Sequence, residues 1–273
     1  MPRLTPLLMA VLATGCLNPE PPSLAPDAVD ANLRWFWVNG DTATDTTLID
    51  AAGKLASGGS ADTRTAPLKG QMRERLSSDD LKNVGLEMND PATARGLIVV
   101  NLFDCTLDKL ENILIAQDQI AQYPDVYKFY VRTYSTDEAA FRARSTDVIT
   151  WTVDLSAALP IDDVYTSVIK GGVRRVKAPA EGATKGDFLI ARTYLAGPAT
   201  FTSPTTTSHF RQDYQIEIFW EQSPGRIFHG YGMWRDIKAG GFNLSIEDNG
   251  FMNIVLDNLV KWDDQTAVLC KKP

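Results

Sequence analysis

Residues that carry out chemistry are scarce in this sequence. It holds three cysteines and two histidines in 273 residues, and no HExxH, His-x-His or Cys-x-x-Cys spacing groups them, so the close-set ligands of a zinc site are missing. No Gly-x-Ser-x-Gly elbow occurs, which leaves a hydrolase reading without its nucleophile. Gly230-Tyr231-Gly232 lacks the third glycine and the strand-to-helix setting of a nucleotide loop, and reads as a bend or a close approach within a strand. Adjacent carboxylates, Asp162-Asp163 and Asp263-Asp264, point to different faces of any regular element and read as solvated turns. A calcium loop from Asp41 fails because Ala43 and Ala52 fall where oxygen ligands are needed and Thr46 replaces the glycine. No cofactor and no metal is therefore expected. The net charge is −7 and no basic run is interleaved with aromatics, which excludes nucleic acid as a partner. Long hydrophobic runs are absent too, and no stretch is long enough to span a bilayer.

The N-terminus carries an address. Arg3 is followed by a short apolar run to Ala13 and by Ala13-Thr14-Gly15 before Cys16, which is the pattern of a secretory signal peptide. Ala13-Thr14-Gly15-Cys16 resembles the lipobox of bacterial lipoproteins, with Ala13 in place of the usual leucine and Pro6 interrupting the apolar run. The resemblance implies a signal peptide over 1–15, lipidation at Cys16, a membrane partner reached through the lipid, and a cell-envelope location. Leu17, where an aspartate would mark inner-membrane retention, implies the outer membrane. Ordinary cleavage near Ala13 or Gly15, leaving Cys16 unmodified, is the other reading. The proline-rich segment that follows reads as an extended spacer, so 16–33 is assigned as a tether. With Cys16 used by the anchor, Cys105 and Cys270 remain in an oxidising compartment and read as one disulfide.

The folded part divides into an extension over 34–94 and a main domain over 95–273. In the extension, Arg34–Val38 reads as a short aromatic strand closed by Asn39-Gly40-Asp41. A helix is predicted over Asp45–Ser57, stopped by Gly58-Gly59, then a loop over Ser60–Ala66 and a second helical segment over Leu68–Asn83, within which Ser77 or Ser78 can cap a separate helix through Leu81. In the main domain, Leu97–Phe103 is a buried strand, and Thr106 or Asp104 caps a helix running to Ala121. The period then changes to two, and six strands follow: Tyr127–Arg132, Ile149–Leu155, Val164–Val176, Asp187–Ala196, Phe210–Glu221 and Ile227–Arg235. Ser223-Pro224-Gly225 turns the last pair into a hairpin. Short connections predict an antiparallel meander. A helix from Asp248 to Leu269 closes the chain, with Phe251, Ile254, Val255, Leu259 and Trp262 on its apolar stripe and Asn253, Asp257, Lys261 and Asp264 on its wet face.

Strand, helix, six strands, long helix is an order that resembles the helix-grip fold of the START-like superfamily, which includes polyketide cyclases and lipid-transfer domains. The resemblance rests on element order over Arg95–Cys270. It implies an α+β fold in which an antiparallel seven-stranded sheet wraps around the C-terminal helix, with a cavity between the two, and it lets the ends at Cys105 and Cys270 meet. The residues assigned to that cavity are Trp151, Tyr214, Trp220, His229, Tyr231, Phe251 and Trp262. Among them His229 reads as a lone imidazole in apolar surroundings, while His209 reads as structural. No catalytic residue is assigned. The leading expectation is a non-enzymatic envelope lipoprotein carrying an apolar small molecule such as a fatty acid or sterol. A protein–protein interaction module with a filled core is the alternative. A cyclase-like enzyme is a third, and it would require polar groups converging in the cavity.

Overall fold

The computed structural model describes residues 24–59, 66–158, 164–179, 186–202, 208–239 and 244–272. Cys16, the signal sequence, Asp162-Asp163 and most of the Ser60–Ala66 loop lie outside the described residues. Two helices lead, α1 (Val29–Asn39) and α2 (Asp45–Gly59). The strands are β1 (Leu68–Gln71), β2 (Arg95–Asp104), β3 (Tyr127–Tyr134), β4 (Val148–Ala158), β5 (Val164–Val176), β6 (Phe188–Leu195), β7 (Thr200–Phe201), β8 (His209–Ser223), β9 (Arg226–Ala239) and β10 (Leu244–Ser245). Between β2 and β4 stand α3 (Leu107–Leu114), α4 (Gln119–Gln122) and α5 (Glu138–Arg142), and the chain ends in α6 (Asn249–Cys270).

The fold is α+β. Seven long strands make the antiparallel sheet, in the order β2-β9-β8-β6-β5-β4-β3, and β1, β7 and β10 add short pieces to it. From β3 to β9 the long strands form the expected meander, and β2 closes against β9 from Arg95↔Arg235 to Asp104↔Arg226. One face of the sheet receives α6. Phe251, Val255 and Leu256 pack there with Leu97, Val99 and Met233, and the far end of the helix, with Trp262 and Cys270, meets Phe103, Phe219 and Ile227. Cys105 and Cys270 are joined by a disulfide with a Cα–Cα distance of 5.3 Å, fixing the end of α6 to the chain just past β2.

The opposite face is covered by α1 and α2. Leu33, Trp37, Leu48 and Leu55 pack against Val100, Ile216, Ile218, Phe228 and Trp234. Glycine in β9 permits the contact: a Cβ on Gly230 would stand 2.8 Å from Leu55 Cδ2, and one on Gly232 would stand 3.1 Å from Leu33 Cβ. With both faces buried, strands such as β2 read as continuous apolar runs.

Five expectations need correction. Arg34–Val38 is helical, the last part of α1. Leu33, Phe36 and Trp37 share its buried face at helical spacing, but Trp35 is buried as well and hides the period. The tether boundary at residue 33 therefore falls inside a packed helix, and Ala25 is already buried. The segment Leu68–Asn83 is no helix: Leu68–Gln71 pairs with the open edge of β2, and a 3₁₀ turn covers Asp79–Val84. Pairing an edge outweighs a weak helical pattern. The helix expected to reach Ala121 breaks after α3, where Gln119 Nε2 donates to the carbonyls of Ile113 and Ala116 and Asp118 caps α4. On α6, Ile254 is exposed and Leu256 takes a buried place instead.

Candidate functional site

Where α6 crosses the sheet it leaves a cavity of ≈ 190 Å³. Strand pairing decides what faces it. Arg132 on β3 pairs with Val153 on β4, Val153 with Ile169 on β5, Thr193 on β6 with Gln215 on β8, and Glu217 with Tyr231 on β9. All of these line the cavity, and Leu259 and Trp262 of α6 roof it. The lining is mostly apolar, with Thr193 and Gln215 in its middle and the charged groups at two poles.

The first pole is centred on His229, which is 3% exposed. Its Nδ1 lies 2.8 Å from Asp263 Oδ1 on α6. The other oxygen of Asp263 accepts from Asn101 Nδ2 on β2 at 2.8 Å, so helix and sheet are joined here by a hydrogen-bonded chain. Glu217 Oε2 stands 3.2 Å from His229 Nε2, but off the line of an N–H bond, and among the described residues Nε2 has no aligned partner. The imidazole ring stacks on Phe219, with centroids 4.2 Å apart. Burial alone would hold the imidazole neutral; the charge and hydrogen bond of Asp263, reinforced by Glu217, outweigh it and raise the pKa to about 9, so the ring is an imidazolium at neutral pH. The two carboxylates approach opposite sides of one ring and converge on the imidazole. Among the described residues no group of three or more His, Cys, Asp or Glu could hold a metal ion.

The second pole is Arg132, 6% exposed. Its Nη1 donates to the Leu114 carbonyl at 2.6 Å, and Nε and Nη2 donate to the Tyr130 hydroxyl at 3.0 and 2.6 Å. Its guanidinium lies over the Trp151 ring, 4.3 Å from the centroid, a cation–π contact. Trp262, at the roof, is held by stacking on Tyr123, whose hydroxyl bonds Thr266 one turn on.

No protein-family model and no curated protein matches the chain. Solved structures similar to the chain include START-type domains. Human STARD10 shares 8% identity over 64% of this chain and 63% of its own, with a TM-score of 0.40; the chain thus spans less than two thirds of that protein's length. A START superfamily protein from Mycobacterium smegmatis shares 10% over 64% of this chain and 94% of its own, at 0.36. The Zhui aromatase/cyclase from Streptomyces sp. R1128 shares 12% over 64% and 92%, at 0.35. Likeness at this level carries nothing about ligand or activity, and the site rests on its own geometry.

Of the seven residues assigned from the sequence, Trp151, His229, Tyr231 and Trp262 line the cavity. Phe251 packs beyond it with Leu97 and Met233. Tyr214 and Trp220 are on the other face of the sheet, in the core that contains α1 and α2; Tyr214 makes an edge contact with Trp37 and its hydroxyl bonds Gln212 and Asn89. The sequence reading missed Glu217, Asp263, Asn101 and Arg132. Asp263, taken for part of a solvated turn, is 0% exposed, while its neighbour Asp264 faces water. His229 is accordingly not a lone imidazole. His209 is structural, its Nε2 3.1 Å from Asp236 Oδ1.

Proposed function

We propose that the chain is an envelope lipoprotein, anchored at Cys16, whose domain binds one small and largely apolar molecule between the sheet and α6. The observation that carries the binding reading is the cavity itself: close-packed proteins leave few recesses of this size between a sheet and the helix packed on it, and this partly open one has a mostly apolar lining with its charged groups at two poles. Its size narrows the guest. A cavity of about 150 Å³ accepts benzene, so ≈ 190 Å³ suits one ring with a small substituent. A sterol or a long fatty acid, expected from the sequence, would not be enclosed. Burying about seven carbons at roughly 0.8 kcal/mol each, less the cost of association, supports micromolar to millimolar affinity.

Titration with indole and with palmitate, followed by calorimetry, tests the reading. Saturable binding of indole is expected, and Ala191→Leu, which fills the cavity from β6, abolishes it in a protein with unchanged circular dichroism. No saturable binding by the wild-type chain would favour a filled-core interaction module. For the anchor, Cys16 incorporates labelled palmitate in a bacterial host, and Cys16→Ser releases the protein from the membrane fraction; equal retention without label would exclude it.

A further inference from the structure

We infer that the guest is an anion, a small ring-bearing carboxylate whose acid group is received by Arg132 and Tyr130. The inference rests on the cavity being a binding site and adds the chemical class of what binds there.

A buried guanidinium normally has a carboxylate beside it, because an uncompensated charge in a protein interior is costly. This fold follows that rule elsewhere. Arg175, 1% exposed on β5, pairs with Glu111 at 2.8 Å, and Arg235 on β9 pairs with Asp213 at 2.8 Å. Arg132 is buried to nearly the same degree, yet among the described residues its three hydrogen bonds go to neutral oxygens, the Leu114 carbonyl and the Tyr130 hydroxyl. A guanidinium has five N–H donors, so two remain for something else, and Arg132 lines the cavity.

Tyr130 completes the receptor. Its oxygen accepts both bonds from Arg132, which leaves its own O–H to donate. Burial raises its pKa, against the opposing effect of Arg132, so the hydroxyl keeps its proton at neutral pH. Two N–H groups and one O–H match the two oxygens of a carboxylate. No lysine joins them in the lining, which fits a singly charged acid better than a phosphate.

The opposite pole sets the orientation. Glu217 on β8 is four strands from Arg132 on β3, about 19 Å measured along the sheet at the usual strand spacing. Glu217 and Asp263 together outnumber the single imidazolium of His229, so that end keeps one net negative charge and repels an acid group. The carboxylate therefore points to Arg132, and the ring, or a hydroxyl or amine on it, points towards Glu217 and His229. Trp151 beneath the guanidinium supplies an apolar surface next to the acid group.

Benzoate and benzamide have the same shape and differ in charge, so calorimetric titration of the full folded chain with both tests the inference. The wild-type protein is expected to bind benzoate at least tenfold more tightly than benzamide. Arg132→Met should abolish that preference, and Arg132→Lys, which keeps the charge and loses the fork, should retain part of it. Tyr130→Phe leaves Arg132 in place and should weaken benzoate several-fold with little effect on benzamide; it serves also if Arg132→Met does not fold. Equal or tighter binding of benzamide by the wild type, or a benzoate preference that survives in folded Arg132→Met, would overturn the anion assignment. If indole binds and benzoate does not, the anion assignment falls and the cavity reading stands. If none of the three binds, the cavity reading falls and takes the assignment with it.

Discussion

Asp263→Asn is the substitution that probes the joint between α6 and the sheet most directly. It keeps the shape of a side chain that is fully buried and removes the charge that faces His229 Nδ1 at 2.8 Å. In the native chain the imidazole titrates at about 9 against roughly 6.5 in an unfolded chain, a difference worth on the order of 3 kcal/mol. Because the folded value is raised, this stabilisation is fully present below pH 6.5 and is lost as pH rises through about 9. Without Asp263 the larger of the two influences that hold the proton is gone and the pKa of His229 falls, while Glu217 stays beside Nε2.

The variant should therefore be less stable than the native chain near pH 6, by most but not all of that roughly 3 kcal/mol because Glu217 remains, and the gap should narrow as pH approaches about 9.5. Urea unfolding of both proteins across that interval measures the gap. Imidazole resonances give the independent check, and with two histidines in the chain assignment needs only a His209→Gln control. A native His229 that titrates at or below pH 6.5, or a stability gap that stays flat across the interval, would refute the charged chain Asp263–His229–Glu217.

Two further outcomes follow from the packing and the covalent link. Gly230→Ala places a methyl 2.8 Å from Leu55 Cδ2 in a fully packed layer, and overpacking of this kind costs about 1–3 kcal/mol; Leu55→Ala in the same chain should relieve part of that cost, and strict additivity in a double-mutant cycle would count against the contact. Loss of the link between Cys105 and Cys270, which are 165 residues apart, should cost about 5 kcal/mol in the ideal entropic treatment. Denaturant unfolding of Cys105→Ser/Cys270→Ser reads it, and free thiols titrated at these positions in the oxidised, unfolded chain would show that the link does not form.

The sheet and α6 were legible because their patterns are long. Period-two alternation over β3 to β9 and a stripe on a 22-residue helix each repeat often enough to outweigh single exceptions. The extension was less legible, since its elements owe their form to what they cover. Arg34-Trp35-Phe36-Trp37-Val38 has no readable period when three consecutive residues, Trp35, Phe36 and Trp37, are all buried, and Leu68–Gln71 becomes a strand because β2 offers an edge to pair with. Neither fact is local to the segment.

The candidate site was half legible for a different reason. Alternation tells which residues share a face but not which face is inside, and in β8 both are buried. The hairpin would have decided it. Treating Ser223-Pro224-Gly225 as a three-residue loop sets Glu221 opposite Ile227, Phe219 opposite His229 and Glu217 opposite Tyr231, pairs the sheet adopts beyond a register shift between Glu221 and Ser223, which itself stands opposite Arg226. Directly paired residues point to the same face, so a cavity that takes His229 and Tyr231 takes Phe219 and Glu217 with them and excludes Tyr214 and Trp220. Arg132 and Asp263 could not be reached by such counting. Arg132 sits in a plain alternating strand, where an arginine reads as solvent-facing, and becomes unusual only because the end of α3, Tyr130 and Trp151 enclose it and, among the described residues, bring no carboxylate. Its burial and missing counter-charge are products of tertiary packing, and the cavity's preference for one end of a polar guest is set there.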